Sequence, residues 1–452
     1  MNTLTNSAAL ESTWPIPMSW YWAKVGHVGN VMLGRQRSPI NHNGPLMRPY
    51  LRAANVTWAG LNLSDVKAMN FDARDFERFE LKSGDVLLNE GSGSPTEVGK
   101  SAIWNGEIEG CCFQNTLLRF QPRACTSEFA AAYFRFCALT GRFAPASQGV
   151  NIAHLGKGGL ANFQIPLAPL AEQRRIVAKL DALTARTARA RADLDRVAAL
   201  AAQYRLSILD HVFAALGSVR RPLIELVDRS RGIPYGIIQT GDAQTDGIPT
   251  VRCGDIKTFK VHRQALKLVK REIAAGYERT FLRGGEVLIA IRGTVGHSAV
   301  AGPELINCNI SREVAMVPVN DFIIPEFLMY FIGASEAQTY LRGHMKGVAQ
   351  SGINLEDVRT LNVPVPPRNE QTAAVARIEG AFREVDRLTA EAAAARRLLE
   401  RLDQAILSKA FRGELVPQDP ADEPASVLLE RIAVERAGAC RETRRGRRAR
   451  VA

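Results

Sequence analysis

The chain has 452 residues and a formal net charge of +12, about three times the length of a typical single domain, so two or three domains with ample core are expected. No stretch approaches the roughly 18 uninterrupted apolar residues of a membrane helix, and Met1 to Pro17 lacks the basic flank and apolar run of a secretory signal. A cytoplasmic protein without membrane contact is expected, and its basic charge favours an anionic partner, nucleic acid first.

Residues 1–168 read as a first mixed domain of short strands and turns. Tyr50 to Val56 predicts a strand running into a turn, and Gly84 to Leu88 a second strand behind a Ser-Gly turn. A loop follows at Gly91 to Pro95. The spacing of Phe129, Tyr133, Phe136 and Cys137 predicts a helix from about Ser127 to Leu139, and the glycines between Gln148 and Gly159 predict irregular chain. Ile165-Pro166-Leu167-Ala168-Pro169 then leads into a long helix over 169–217. Its apolar ladder is Ile176, Leu180, Leu183, Thr187, Ala190, Leu194, Val197, Ala201, Tyr204 and Ile208. Steps of four and three average 3.5 residues and hold one narrow stripe on one face, the pattern of a coiled-coil seam.

After Gly217 the programme restarts, and 218–366 reads as a second mixed domain. Thr250 to Ile256 lies over Tyr50 to Val56, Gly285 to Ile289 over Gly84 to Leu88, Val295 to Ala299 over Val98 to Ala102, and Glu326-Phe327 over Glu128-Phe129. Val363-Pro364-Val365-Pro366-Pro367 repeats the proline junction, and Glu370-Gln371 repeats Glu172-Gln173. A second long helix over 367–413 carries the ladder Ala374, Ile378, Ala381, Val385, Leu388, Ala392, Ala395, Leu399, Leu402 and Ile406 in the same register. Residues 414–452 form an extension ending in an arginine-rich run from Arg441 to Arg450, whose charge adds nonspecific attraction for phosphate. The order predicts a pseudo-tandem duplication of domain plus helix, with the two seams as natural partners.

Catalytic patterns are sparse. The segment Gly93 to Ser101 has one residue too many for a phosphate loop, which would place Ser94 where glycine is needed. Asp246 with Asp255-Ile256-Lys257 mimics the acids and lysine of a metal-dependent nuclease, but its counterpart Asn55-Val56-Thr57 has neither acid nor lysine. No Gly-x-Ser-x-Gly elbow and no Asn-Pro-Pro-Tyr or Asp-Pro-Pro-Tyr motif of an amino-methyltransferase is present. Seven cysteines, an odd number that includes the adjacent Cys111-Cys112, form no disulfide framework and no Cys-x-x-Cys chelate. The histidines stand singly, so neither a metal site nor a catalytic centre is expected.

Leu81 to Trp104, the run Pro-Leu-Ala-Pro-Leu-Ala-Glu-Gln-Arg-Arg-Ile-Val of residues 166–177 and its echo Pro-Val-Pro-Pro-Arg-Asn-Glu-Gln of residues 364–371 resemble the specificity (S) subunit of type I restriction-modification enzymes. The resemblance covers nearly the whole chain except the arginine-rich tail. It implies an α+β fold: two mixed α/β target-recognition domains in pseudo-tandem repeat, separated by two long α-helices that form an antiparallel coiled coil. Each domain would read one half of a split site in double-stranded DNA, while the coil spaces the domains and docks two methyltransferase (M) subunits and, through them, restriction (R) subunits. S-adenosylmethionine, ATP and Mg belong to those partners, and no cofactor is expected in this chain.

Within the domains, polar groups around the repeated strands are the expected DNA contacts. Arg52 and Asn55, matched by Arg252 and Asp255, carry the chemistry of base edges: arginine for guanine, asparagine for adenine, a carboxylate for cytosine N4. Lys100 and Arg292 sit in the glycine-rich loops. An arginine at a strand end also serves as a solvating group or salt-bridge partner. The competing functional readings are a non-catalytic protein-binding adaptor with an oligomerising coil, which fits the basic charge and duplicated loops less well, and a fused restriction enzyme, which the missing methyltransferase motif opposes.

Overall fold

The computed structural model describes residues 13–92, 97–143, 153–217, 219–257, 259–345 and 352–435. The arginine-rich tail, positions 93–96 of the first glycine-rich loop and positions 148–152 lie outside the described residues. Contacts divide the chain into two compact units, Met1–Ala192 with Arg396–Ala452, and Asp193–Ala395. Each unit combines a mixed domain with parts of both long helices.

In the first unit a four-stranded antiparallel sheet runs in the order Gly29–Leu33, Leu117–Pro122, Asp85–Asn89, Ser101–Trp104. Side chains of a strand alternate between its two faces. Val86 and Leu88 therefore pack with Phe129 and Phe134 of the helix Ser127–Leu139, while Leu87 packs with Tyr50, Leu51 and Phe113 under a second sheet. That second sheet centres on Met47–Leu51, antiparallel to Lys67–Asn70 and parallel to Cys112–Phe113.

The second unit repeats the plan. Val287–Ala290 lies between Ser298–Val300 and Val314–Val317. Val287 and Ile289 face Phe327 and Phe331 of the helix Pro325–Gly333, while Leu288 and Ala290 face Val251 and Ile310. Ile248–Val251 has the same pair of neighbours, antiparallel Lys267–Val269 and parallel Asn309–Ile310. The sequence match of Gly99 to Gly296 is also one of geometry. Both have positive φ, +77° and +86°, and both amides turn back on the preceding strand, to Asn89 O at 3.0 Å and Ala290 O at 2.9 Å.

The strand expected to run into a turn over Tyr50 to Val56 does so after Leu51, where Ala53–Asn55 form a 3₁₀ turn, as do Cys253–Asp255. One local expectation is corrected. The glycines of 156–159, expected to be irregular, fall in a short helix, Gly156–Asn162. Packing overrides their poor helix propensity: Leu160 is fully buried, and a side chain at Gly26 would bring its Cβ within 3.0 Å of Ala161 O, so the glycine admits the close approach.

The long helices span Leu170–Ala214 and Arg368–Phe411. In the first unit Ile176 and Leu180 share a core with Leu407, Ala410 and Phe411, and Arg191 pairs with Asp403. In the second, Leu209, Val212 and Phe213 share a core with Ala374, Ile378 and Phe382, and Arg205 pairs with Asp386. Within each unit the partner number falls as the residue number rises, so the helices are antiparallel. Most of both ladders is buried or half-buried, but Tyr204, Leu388 and Leu402 are exposed. A straight helix of 3.6 residues per turn drifts ~20° per heptad from a strict 3.5 repeat, which carries some ladder positions off the contact.

Candidate nucleic-acid interface

In both units the central strand of the second sheet, Met47–Leu51 or Ile248–Val251, leads into an arginine that begins a 3₁₀ turn. The Arg52 N–H donates to Asn55 Oδ1 at 3.0 Å, and the Arg252 N–H donates to Asp255 Oδ2 at 2.9 Å. Residue three of each turn therefore fixes the backbone on which the arginine is presented. Asn55 is 2% exposed, and its amide also donates to Asn62 O and Asp65 O at 2.9 and 3.1 Å. Asp255 also accepts from the Arg252 side chain at 3.2 and 3.3 Å. This bond holds the Arg252 guanidinium above its ordinary pKa.

Arg52 pairs with Asp65 at 2.5 Å, and Lys67 holds Asp65 below the usual carboxylate range, with Arg52 adding to the effect. Its charge is thus partly met within the domain. Lys100 pairs with Glu97 and lies 5.8 Å from the Trp58 ring centroid; Arg135 lies 5.6 Å from the same ring and donates to Trp58 O at 2.6 Å. At the position of Lys100 the second unit has His297, whose Nδ1 lies 3.2 Å from Ile256 O. Asp246 and Asp255 are engaged separately, by Arg271 and Arg252.

Beside each arginine turn, four further segments converge. In the first unit the Glu90 N–H donates to Thr116 O at 3.0 Å, the Leu155 N–H to Glu90 O at 2.8 Å and the Asn115 N–H to Arg35 O at 3.0 Å. The second unit has the same three bonds: Ile291 to Glu313 O at 2.8 Å, Ile353 to Ile291 O at 2.9 Å and Arg312 to Ile237 O at 2.9 Å. The turn joins this frame through Ala53 N–H to Thr116 Oγ1 and through Cys253 Sγ to Glu313 Oε2, at 3.0 and 3.1 Å. Five chain segments, the turn included, thus make one edge in each unit, on nearly the same backbone.

The family model described as the type I restriction modification DNA specificity domain matches residues 23–196 and 242–391. The chain belongs to this family. Among similar proteins, the EcoBI specificity subunit of Escherichia coli is 31% identical over 326 residues, covering 64% of this chain and 68% of that protein. The EcoKI specificity subunit of E. coli strain K12 is 24% identical over 451 residues, covering 93% and 96%. The fold matches a solved chain from work on complex assembly and conformational transition of the type I R-M system, with a TM-score of 0.67, 24% identity and coverage of 89% and 100%. It also matches the HsdS subunit from Thermoanaerobacter tengcongensis, with a TM-score of 0.56, 23% identity and coverage of 89% and 99%.

Across this specificity subunit the two edges differ in side chains. The first presents Glu90, Asn115, Thr116 and His154, with His154 Nδ1 2.9 Å from Glu90 Oε2. The corresponding positions of the second are Ile291, Arg312, Glu313 and Gly352, and Arg292 follows Ile291 where Gly91 follows Glu90. The structure brings Arg252 and Arg292 to one edge, linked by Thr294 Oγ1 donating to Cys253 O at 3.0 Å. Sequence reasoning missed Glu90, Asn115, His154 and Arg312. The available signal was position: Asn115-Thr116 and Arg312-Glu313 each stand directly before an apolar strand. Among the described residues no group of three or more His, Cys, Asp or Glu is placed to hold a metal, and no helix is long and apolar enough to cross a membrane.

Proposed function

We propose that the chain reads a bipartite site in double-stranded DNA for a type I restriction-modification enzyme, each recognition domain reading one half. The observation that carries this is the repeated edge: one backbone frame, built twice, with different polar side chains on each copy. Two readers of one design with separate chemistry suit an asymmetric split target, because base contacts specify sequence while phosphate contacts only position. The domains are taken as 1–168 and 218–366, the helices as 169–217 and 367–413, and 414–452 as an extension.

Arg52, Arg252 and Arg292 are proposed to contact DNA directly, Lys100 to attract phosphate, and Asn55 and Asp255 to hold the turns that present the arginines. The antiparallel helices space the domains and dock two methyltransferase subunits, which in turn carry the restriction subunits. Methyl transfer from S-adenosylmethionine and ATP- and Mg-dependent steps belong to those partners, in the cytoplasm. A salt titration of binding to duplex DNA tests the reading. Affinity should fall steeply and linearly in log–log form, since each neutralised phosphate releases counterions. Binding that ignores salt, or methyl transfer by the purified chain alone, would count against it.

A further inference from the structure

We propose that the pocket of Tyr235, Arg292, Arg312 and Asn354 reads guanine in the half-site bound by the second recognition domain. The proposal deepens the DNA-specificity reading above and rests on it.

The pocket is an open concavity of about 310 Å³ on the repeated edge of the second unit, with Ile238, Ile291, Ile353 and Leu355 as its apolar wall. Both guanidinium-bearing residues are exposed, and neither has an ion-pair partner among the described residues, whereas Arg231, Arg252, Arg271 and Arg359 of the same unit are all paired. Two unneutralised cations in one concave site favour an anionic or acceptor-rich ligand. No carboxylate lines the pocket. Glu313 and Glu356, each next in sequence to a lining residue, are engaged elsewhere, by Cys253 Sγ and by Arg359.

The guanidiniums stand on fixed backbone. Arg312 N–H is bonded to Ile237 O, and Arg292 is bridged to Gly352 in an antiparallel pair. The segment carrying Tyr235 and Ile238 is pressed against the strand beside it: a Cβ at Gly236 would lie 1.8 Å from Ile310 O, so only glycine fits there. Ile237 is consequently buried while its neighbours Tyr235 and Ile238 are exposed. Asn354 precedes the helix Leu355–Arg359 without capping it through its side chain.

In the major groove guanine presents two adjacent acceptors, O6 and N7, which match the parallel N–H groups of an arginine, whereas the cytosine N4 donor requires an acceptor such as a carboxylate. This pocket supplies donors in excess and no carboxylate. At the equivalent positions of the first unit Gly91 and Asn115 stand in place of Arg292 and Arg312, so this two-arginine contact should have no counterpart in the other half of the target.

The test selects duplexes from a randomised pool with the full chain in complex with its methyltransferase partner, for the native protein, Arg292→Met, Arg312→Met and the double variant. The native complex should enrich a bipartite motif with guanine in one half. Each single variant should lower the preference for that guanine by about 10- to 100-fold, and the double variant should lose it while still enriching the other half. That retained half is an internal control for folding. Guanine enrichment unchanged in the double variant overturns the proposal, as does a native motif with no guanine in either half. Loss of both halves in all variants also overturns it, since the arginines would then be holding the fold. If the native complex enriches no bipartite motif, it is the DNA-specificity reading that fails.

Discussion

Gln173 Oε1 accepts a hydrogen bond from the N–H of Thr126 at 3.0 Å, tying the start of the first long helix to the residue that caps the helix Ser127–Leu139. Its Nε2 donates to Ala168 O and Ala124 O at 2.9 and 3.3 Å. In the second unit Gln371 makes the same three bonds, from Ile324 N–H at 2.8 Å and to Pro366 O and Phe322 O at 2.9 Å. Both glutamines are buried, so an alanine in either place leaves one amide and two carbonyls without partners. Gln173→Ala and Gln371→Ala should each cost at least about 1–3 kcal/mol, measured by urea denaturation. Each should also speed exchange of the amide it satisfies, Thr126 or Ile324. Unaltered stability would mean that water replaces the latch.

The sheets of Asp85–Asn89 and of Val287–Ala290 each pack an arginine against a carboxylate and a methionine, but the arginine has moved. Arg119 lies 3.6 Å from Asp85 and donates to Glu80 O at 2.7 Å, with Met32 Sδ at 3.4 Å. In the second unit Met316 holds the register of Arg119, opposite Leu288 as Arg119 is opposite Leu87. The cation there is Arg231, from the segment before, 2.6 Å from Glu286 and 3.4 Å from Met316 Sδ. Removing one partner of a buried pair strands the other charge. Arg119→Met and Arg231→Met should each cost about 3–5 kcal/mol, and Arg119→Met combined with Asp85→Asn should recover part of that loss. A double variant as unstable as the sum of the singles would show that the pair is not coupled.

Glu172 is fully buried, and desolvation raises its pKa above the ordinary carboxylate value, against the bonds from Trp20 Nε1 at 2.9 Å and Gln418 Nε2 at 2.5 Å. The native chain therefore holds the Glu172 proton more tightly than the unfolded chain does. By linkage this lowers stability as pH rises from the unfolded pKa of 4.5 to the raised native value, and the loss is constant above it. Glu172→Gln removes the titration at the expense of one hydrogen bond, a fixed offset. Its stability relative to the native chain should thus improve as pH rises from about 4 to 7, read by denaturation at each pH. A difference that stays flat would place the native pKa at its ordinary value.

The repeat was legible because its elements are defined locally: strand patterning, the glycine at positive φ, the proline junction and the start of each long helix. Glu172 shows the limit. Its match, Glu370, is exposed, whereas Glu172 is bonded by Trp20 and Gln418, which lie outside the segments that repeat in sequence. The proposed reading edge was half legible for a similar reason. Arg52, Arg252 and Arg292 stand at strand ends that the pattern marks, but the frame that joins them to Asn115 or Arg312 is a tertiary arrangement of four distant segments. Asn55 was visible as a polar residue, yet only burial reveals that its amide is engaged within the turn.

A chain ending at Gly217 should dimerise, and the structure names the residue responsible. Phe411 closes the first unit, its ring 5.4 Å from Phe129, 5.0 Å from Tyr133 and 5.6 Å from Phe136. Phe213 holds the same place at the end of the first long helix and meets Phe327 and Phe331 of the second unit at 5.2 and 5.4 Å. The shortened chain keeps Phe129, Tyr133 and Phe136 but loses Phe411, and gains a Phe213 without its aromatic partners. Two copies packed antiparallel, with two-fold symmetry, would place each Phe213 on the other's vacated aromatic cluster, each burial contributing about 1.5–3 kcal/mol. The bonds of Glu172 with Gln418 and of Arg175 with Asp422 cannot be rebuilt this way, so the pair should be weaker than the intact chain's own packing. Sedimentation at tens of micromolar should find a dimer that Phe213→Ala reduces to monomer, and with the methyltransferase partner that dimer should modify a palindromic split site. A strictly monomeric fragment, or a dimer indifferent to Phe213→Ala, would mean that the two helix ends are not interchangeable despite their matched register.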